Sequence, residues 1–110
     1  MGYTQIVGGQ YKGFRVKVPD KVRPLTSMLR KKVFDYLGQY LEGCKFLDLF
    51  AGSGCVGLEA LSRGADFVAF VEKNKSIFSK LVNNVKSLDP EGERSSLFFA
   101  DSHDLSLIHI

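Results

Sequence analysis

Apolar and polar residues alternate along residues 14–18, where a phenylalanine and two valines are separated by an arginine and a lysine. A period of two is typical of a β-strand with one buried face. Glycines at positions 8, 9 and 13 interrupt the preceding segment, so residues 4–7 and 14–18 are predicted to form an antiparallel hairpin. The exposed face of this hairpin would carry positive charge.

The period changes at Thr26 to that of a helix. Apolar residues now recur at every fourth position, at Leu29, Val33, Leu37 and Leu41. This spacing predicts an amphipathic helix that buries these four side chains, with Thr26 or Ser27 as its N-cap.

Beyond residue 43, short apolar runs alternate with helical patterns. Strands are predicted over residues 45–50, 67–71 and 97–100, and helices over residues 56–63 and 74–88. Strands separated by helices imply right-handed crossovers and a parallel sheet. The predicted fold class is α/β: residues 44–110 form the first half of a doubly wound sheet, and residues 1–43 a basic N-terminal hairpin and helix.

The turn between the first strand and the first helix of this sheet is rich in glycine. Gly52, Gly54 and Gly57 form the pattern G-x-G-x-x-G, which lets the chain turn sharply and lets a ligand approach the backbone closely. Asp48 lies within the end of the strand before the turn, and Glu72 lies at the end of the next strand, 20 residues after Gly52. An acid at that position can accept both hydroxyls of an adenosine ribose, so a cofactor that contains adenosine is predicted.

Charge distinguishes between the candidate cofactors. A dinucleotide would bring a pyrophosphate to the helix N-terminus, close to the carboxylate of Asp48. S-adenosylmethionine carries instead a cationic sulfonium and an ammonium group, which that carboxylate attracts. Asp101, after the third strand, is placed to accept a hydrogen bond from the adenine amino group. S-adenosylmethionine is therefore the predicted cofactor; the alternatives are a nicotinamide cofactor in an oxidoreductase, and acids that only cap the loops that follow them.

Composition places these elements in a single globular domain. Of the 110 residues, 45% are hydrophobic and 25% are charged, and the longest apolar run, residues 67–71, is far too short to cross a membrane. The first ten residues lack the apolar core of a signal peptide, and Cys44 and Cys55 are too few for a disulfide framework. We expect a cytoplasmic protein whose cysteines are small buried side chains.

Positive charge is concentrated at the front of the chain. The net charge of +3 divides into nine Lys or Arg against three acids in residues 1–45, a net of +6, and six against nine in residues 46–110, a net of −3. Cations near phosphates gain free energy from the release of counterions, so the basic part is a candidate contact for a polyanion. The alternative is an ordinary solvated surface of uneven charge.

Several segments together resemble one family. Residues 48–65 read D-L-F-A-G-S-G-C-V-G-L-E-A-L-S-R-G-A and residues 70–73 read F-V-E-K, while the front end adds I-V-G-G-Q-Y-K-G at residues 6–13 and V-K-V-P at residues 16–19. From residue 4 to about residue 101, the chain resembles the bacterial RsmD-type methyltransferases, which methylate the exocyclic N2 of a guanine in small-subunit (16S) ribosomal RNA. It departs from them at Met28, commonly an arginine, and at Lys31, usually a glutamate.

The resemblance implies a Rossmann-like, S-adenosylmethionine-dependent methyltransferase fold, of which this chain holds about three parallel strands. The methionine part of the cofactor would lie against the glycine loop, at Asp48, Phe50, Ala51, Gly52, Ser53 and Gly54. Glu72 would hold the ribose with Lys73 beside it, and Asp101 would hold the adenine. Ribosomal RNA or the small ribosomal subunit would be the partner, with candidate contacts at Lys12, Arg15, Lys17, Arg23 and Arg30.

Members of the family resemble one another in a catalytic Asn/Asp-Pro-Pro-aromatic motif after the fourth strand, which accepts the hydrogens of the guanine amine and stacks on the base. The three prolines of this chain, at positions 19, 24 and 90, all precede that point. We therefore expect a truncated or frame-disrupted chain, monomeric and inactive alone, in which residues 102–110 are unrelated residues or a fourth strand. A non-catalytic fragment that binds RNA or cofactor is the alternative. The two histidines predict no metal site.

Overall fold

The computed structural model describes residues 2–19 and 26–101. Within these ranges the strands are β1 (Gly2–Gln5), β2 (Arg15–Val18), β3 (Lys45–Asp48), β4 (Phe67–Glu72) and β5 (Ser95–Phe99), and the helices are α1 (Ser27–Leu37), α2 (Cys55–Ser62) and α3 (Lys75–Leu88). A 3-10 helix over Gly38–Leu41 continues α1. The predictions for Arg23 and for residues 102–110 lie outside the described residues.

The strands form two separate sheets. β1 and β2 pair antiparallel, and β3, β4 and β5 form a parallel sheet with β4 in the centre. α2 connects β3 to β4 and α3 connects β4 to β5, as parallel pairing requires. The predicted fold class is confirmed: an α/β chain with three parallel strands, preceded by a hairpin and a helix.

β4 lies at the centre of the core. Residues 68–71 are completely buried, because strands pair with β4 on both edges while α2 and α3 pack against it. Leu58 from α2 and Leu81 from α3 belong to the same apolar cluster. Gly57 allows α2 to approach closely, since a Cβ at this position would lie 2.3 Å from Cε1 of Phe70. The helix that follows the glycine loop is therefore held directly on the central strand.

The first strand of the hairpin begins and ends earlier in the chain than the sequence predicts. β1 covers Gly2–Gln5 rather than residues 4–7. Ile6 still bonds across the hairpin, to the carbonyl of Phe14 at 3.0 Å and from the amide of Gly13 at 2.8 Å, and the next amide, of Val7, donates to Oε1 of Glu59 at 3.1 Å. The hairpin is thus fixed to α2, the helix that begins at the glycine loop.

Helix α1 confirms the predicted buried face only at its end, where Leu37 packs against the core and Leu41, in the 3-10 helix, is buried. Leu29 is 48% exposed and Val33 is 43% exposed, whereas Arg30 and Phe34 are buried. The helix is turned in this way because the guanidinium of Arg30 enters the core, where it meets the carboxylate of Glu59. The expected burial of Leu29 and Val33 is therefore wrong. Their regular spacing identifies an apolar face of the helix, but the side of α1 that faces α2 is the one that carries Arg30.

Arg30 and Glu59 form an ion pair at 3.0 Å with both side chains completely buried. The second carboxylate oxygen of Glu59 accepts from Nε of Arg63 at 2.8 Å, and Arg30 also donates to Oγ1 of Thr4 at 3.2 Å and to the carbonyl of Gln5. A buried pair with such additional hydrogen bonds fixes the hairpin, α1 and α2 in one arrangement. The prediction of Arg30 as an RNA contact is wrong for this reason: its charge lies inside the protein.

Two smaller features complete the description. Cys55 is buried as expected, while Cys44 is only half-buried, and both are free thiols. Across residues 2–19 and 26–101, no helix has the length and apolar character needed to span a membrane.

Candidate functional site

The glycine loop lies between the end of β3 and the start of α2. Gly52 has a φ of +54° and Gly54 a φ of +91°, a left-handed backbone that favours glycine at both positions. The loop is closed by two backbone hydrogen bonds, from Ala51 N to the carbonyl of Val71 at 3.0 Å and from Gly54 N to the carbonyl of Ala51 at 2.8 Å. Its tight turn is thereby tied to the central strand.

Asp48 ends β3 directly before this loop. Its carboxylate accepts hydrogen bonds from the backbone N–H groups of Phe50 and Gly57. Its second oxygen, Oδ2, is buried and has no hydrogen-bond partner among the described residues. Burial raises the pKa of Asp48 to about 6, and the nearby charge of Glu72 adds to the increase, while the two backbone hydrogen bonds oppose it. The site therefore contains a carboxyl group that is costly to ionise, and one of its oxygens accepts no hydrogen bond from the described residues.

Glu72 ends β4 on the other side of the loop. One carboxylate oxygen accepts from Gly52 N at 3.0 Å, and the other accepts from Asn74 N at 2.9 Å. Asn74 in turn caps α3, because its side chain accepts from Ile77 N at 3.0 Å. Each oxygen of an ionised carboxylate has two lone pairs, so both oxygens of Glu72 retain an acceptor position. Glu72 thus holds the loop in place and can still accept hydrogen bonds from a ligand.

The other predicted cofactor residues lie in different environments. Phe50 is 77% exposed, whereas Ala51 and Ser53 are buried in the loop. Lys73 and Asp101 are exposed, and they follow β4 and β5 at the same end of the sheet as Asp48. The structure brings Asp48, the glycine loop and Glu72 into direct contact, and it puts Lys73 and Asp101 at the adjoining strand ends. Within the described residues, no cluster of His, Cys, Asp or Glu could hold a metal ion.

The hairpin presents a second candidate surface, its outer face. Arg15 and Lys17 are exposed on β2, and the register puts them opposite Gln5 and Tyr3 on β1. The Arg15 guanidinium lies over the ring of Tyr3, 5.2 Å from its centroid. Lys12, in the turn, is also exposed. We call Tyr3, Gln5, Arg15 and Lys17 the hairpin outer face; it combines two cations with an accessible aromatic ring.

The sequence pattern does not identify Tyr3, because it predicts a first strand that begins at residue 4. The alternation that links Tyr3 to Gln5 across the buried Thr4 is the signal that could have identified it.

Asn84 on α3 is also missed by the sequence reasoning. It is buried and hydrogen-bonded to the backbone of both Lys17 and Ser53. Its signal is a polar residue in the apolar stripe of a helix, since Asn84 follows Leu81 by three positions and precedes Leu88 by four.

Comparisons with known proteins identify the family. The family model described as Conserved hypothetical protein 95 matches residues 4–107. The chain is 38% identical over 89 residues to ribosomal RNA small subunit methyltransferase D of Escherichia coli, covering 79% of this chain and 45% of that protein. It is 32% identical over 105 residues to the protein of the same name from Haemophilus influenzae, covering 94% of this chain and 54% of that one. The chain thus spans about half the length of the curated relatives it matches.

Solved structures agree with this assignment. The hypothetical protein TTHA0928 of Thermus thermophilus superimposes with a TM-score of 0.80 at 38% identity, over 93% of this chain and 58% of that one. Two more distant structures share the fold alone: precorrin-6y C5,15-methyltransferase of Geobacter metallireducens (TM-score 0.69, 18% identity, 84% and 48% covered) and TYW2 of Pyrococcus horikoshii in complex with MeSAdo (TM-score 0.65, 23% identity, 84% and 34% covered). The predicted Rossmann-like fold of S-adenosylmethionine-dependent methyltransferases is confirmed, and the chain belongs to the RsmD family of ribosomal RNA methyltransferases.

Proposed function

We propose that this chain is the cofactor-binding part of an S-adenosylmethionine-dependent methyltransferase that modifies the exocyclic N2 of a guanine in small-subunit ribosomal RNA. The observation that carries the proposal is the buried, unpartnered Oδ2 of Asp48 beside the glycine loop. A buried acceptor without a partner is costly, and a ligand that brings a positive charge close to the carboxylate lowers that cost.

The donor and acceptor groups of the site fit S-adenosylmethionine. Two carboxylates, Asp48 and Glu72, flank the loop, and their mutual repulsion contributes to the raised pKa of Asp48. A cationic ligand relieves this repulsion, whereas the pyrophosphate of a dinucleotide increases it. The positive φ of Gly52 and Gly54 favours glycine at the two turning positions, which keeps the loop tight for the approach of the methionine part to its backbone; at Gly54 the absent side chain also leaves room for Leu81, since a Cβ there would lie 2.8 Å from Cδ1 of Leu81.

The residues around the loop have separate roles in this proposal. Asp48 attracts the positive charge of the methionine part, which Phe50, Ala51, Gly52, Ser53 and Gly54 surround. Glu72 accepts from the ribose hydroxyls through the lone pairs that its backbone contacts leave available, with Lys73 beside it, and Asp101 accepts from the adenine amino group. When bound, the cofactor supplies a methyl group attached to a sulfonium sulfur. The sulfur leaves as a neutral thioether and needs no acid, so the protein mainly orients the reactants and excludes water.

The hairpin outer face is the proposed contact to ribosomal RNA. Arg15 and Lys17 supply cations for phosphates, and Tyr3 supplies a ring on which an unpaired base can stack. Lys12 extends the basic surface into the turn. The relatives are named as ribosomal RNA methyltransferases, which supports RNA as the partner rather than another polyanion. We propose that the chain acts as a monomer in the cytoplasm.

The chain alone is proposed to bind cofactor without transferring a methyl group. Its sequence contains no Asn/Asp-Pro-Pro-aromatic motif, and it therefore lacks the groups that would accept the hydrogens of the guanine amine. Methyl transfer to small-subunit ribosomal RNA by this chain would contradict that part of the proposal.

Isothermal titration calorimetry with S-adenosylmethionine tests cofactor binding. We expect saturable binding by the unaltered chain, loss of binding in Asp48→Ala and in Glu72→Ala, and unchanged binding in the control Asp66→Ala, which removes an exposed carboxylate. Binding of NAD without binding of S-adenosylmethionine would indicate the oxidoreductase instead. Binding of RNA without either cofactor would indicate a non-catalytic RNA-binding fragment, the alternative that the hairpin outer face favours.

A further inference from the structure

Asn84 connects three elements through a single side chain. It lies on α3 with only 5% of its surface exposed. Its amide nitrogen donates to the carbonyl of Ser53 and to the carbonyl of Lys17, each at 2.8 Å, and its oxygen accepts from Lys17 N at 3.1 Å. Both amide hydrogens and one acceptor position are therefore used between the glycine loop and β2.

The bonds to Lys17 satisfy the backbone on the edge of β2 that faces away from β1. The backbone N–H and carbonyl of Lys17 both bond to Asn84, so the amide takes the place of a third strand on the edge of β2. The side chain of Lys17 lies on the hairpin outer face. Asn84 thus fixes the backbone position that carries one of the two cations of that face.

The bond to Ser53 fixes the other end of this connection. Ser53 is the residue between Gly52 and Gly54, both of which have a positive φ, and its peptide can rotate easily when nothing holds it. The Oγ of Ser53 accepts from Cys55 N at 3.4 Å, while its carbonyl accepts from Asn84. The peptide unit between Ser53 and Gly54 is therefore held at both ends: its N–H donates to the carbonyl of Ala51 within the loop, and its carbonyl accepts from a side chain that lies on a different helix.

We propose that Asn84 is a positioning residue for cofactor binding: it sets the peptide of Ser53 in the glycine loop and, by the same amide, holds the basic hairpin in a fixed place relative to that loop. This inference rests on the proposed function, because it assigns Asn84 to the same cofactor site. Asn84 acts through Ser53 and Lys17.

The test compares Asn84→Ala with two controls on the same helix. Asn83→Ala makes the same chemical change at an exposed neighbour, and Val85→Ala destabilises the same helix by removing buried apolar atoms. The dissociation constant for S-adenosylmethionine is measured by calorimetry, and Tm is measured for each variant. We expect Asn84→Ala to weaken binding about tenfold, as one lost hydrogen bond near the upper end of the net range would. Both controls should bind within about twofold of the unaltered chain, even where Val85→Ala lowers Tm as much as Asn84→Ala does.

A second variant and a second readout keep the test decisive if Asn84→Ala does not fold. Asn84→Asp keeps the volume of the side chain and the oxygen that accepts from Lys17 N. It replaces the amide nitrogen, which donates to the carbonyls of Ser53 and Lys17, by an oxygen that cannot donate, and it should also weaken binding about tenfold. Amide hydrogen exchange of the unaltered chain should show Lys17 N–H protected although it lies on a sheet edge, with several-fold slower exchange when S-adenosylmethionine is bound.

The outcomes separate this inference from the proposed function. Failure of the unaltered chain to bind S-adenosylmethionine would overturn the proposed function and this inference with it. Normal cofactor binding by the unaltered chain together with unchanged binding in Asn84→Ala or Asn84→Asp would overturn this inference alone. Unprotected exchange at Lys17 N–H, or protection that the cofactor does not change, would also overturn it.

Discussion

Replacement of Asp48 by asparagine should stabilise the folded chain at neutral pH and weaken cofactor binding. The carboxylate of Asp48 is largely buried, one of its oxygens has no partner among the described residues, and burial raises its pKa to about 6. Asparagine has nearly the same shape and retains an oxygen for the N–H groups of Phe50 and Gly57. The variant therefore removes the cost of a buried charge while the backbone contacts stay possible, and the amide N–H groups that replace Oδ2 without an acceptor among the described residues offset part of this gain at every pH.

The size of the effect follows from the pKa. A rise from 3.8 to about 6 corresponds to about 3 kcal/mol between the two protonation states. Because the pKa is higher in the folded chain, the folded state binds this proton more strongly, and the stability associated with it is present below about pH 3.8 and lost as pH rises through about 6. Asp48→Asn should raise the free energy of unfolding by up to about 3 kcal/mol at about pH 8 and by less than about 1 kcal/mol at about pH 4.

Urea unfolding followed by circular dichroism at a series of pH values measures this difference. Asp66→Asn, which removes an exposed carboxylate, serves as the control and should show little change at any pH. The affinity for S-adenosylmethionine should fall in Asp48→Asn even as stability rises, because the negative charge that attracts the cofactor is lost. A difference in the free energy of unfolding between the two chains that does not shift in favour of the variant from about pH 4 to about pH 8 would refute the reasoning.

Three further changes test other parts of the structure. Arg30→Leu should lower the free energy of unfolding by about 3 kcal/mol in urea, because Glu59 remains buried and loses the cation bound to Oε1, keeping, within the described residues, Arg63 as its one charged partner and the amide of Val7 as a neutral one; a loss under about 1 kcal/mol would contradict the buried ion pair. Gly57→Ala should cost about 2 kcal/mol in the same assay, since the added Cβ would lie 2.3 Å from Cε1 of Phe70, and a neutral result would mean that α2 is not held on β4. Lys17→Ala should weaken binding to a small-subunit ribosomal RNA fragment in a filter-binding titration. The slope of the logarithm of the binding constant against the logarithm of the salt concentration should become smaller by about one, and an unchanged slope would exclude the hairpin outer face from the RNA interface.

The sheet and the glycine loop could be predicted from the sequence because local patterns determine them. The central strand β4 is an almost wholly apolar run, and glycine at positions 52 and 54 follows from the backbone turn between a strand and a helix. Asp48 and Glu72 could be located as strand-end acids by the same argument. That Glu72 also accepts hydrogen bonds from the loop it flanks depends on distances that no sequence pattern contains.

The predictions that failed depend on contacts between residues distant in sequence. The apolar spacing of Leu29 and Val33 suggested a buried face, but the ion pair of Arg30 with Glu59, 29 residues later, turns α1 the other way. Periodicity treats arginine as a surface residue and cannot identify a buried partner for it. Asn84 was missed for the same reason, because its partners on β2 and in the glycine loop become its neighbours only after folding.

The central claim is that the glycine loop and the adjoining strand ends bind S-adenosylmethionine. Two-dimensional nitrogen–proton NMR of the chain during a titration with this cofactor tests the claim at the level of single residues. The account predicts saturable shifts of the amide signals of Gly52, Gly54, Lys73 and Asp101, with NAD leaving these signals in place. An absence of saturable shifts, or shifts confined to residues far from the loop, would contradict it.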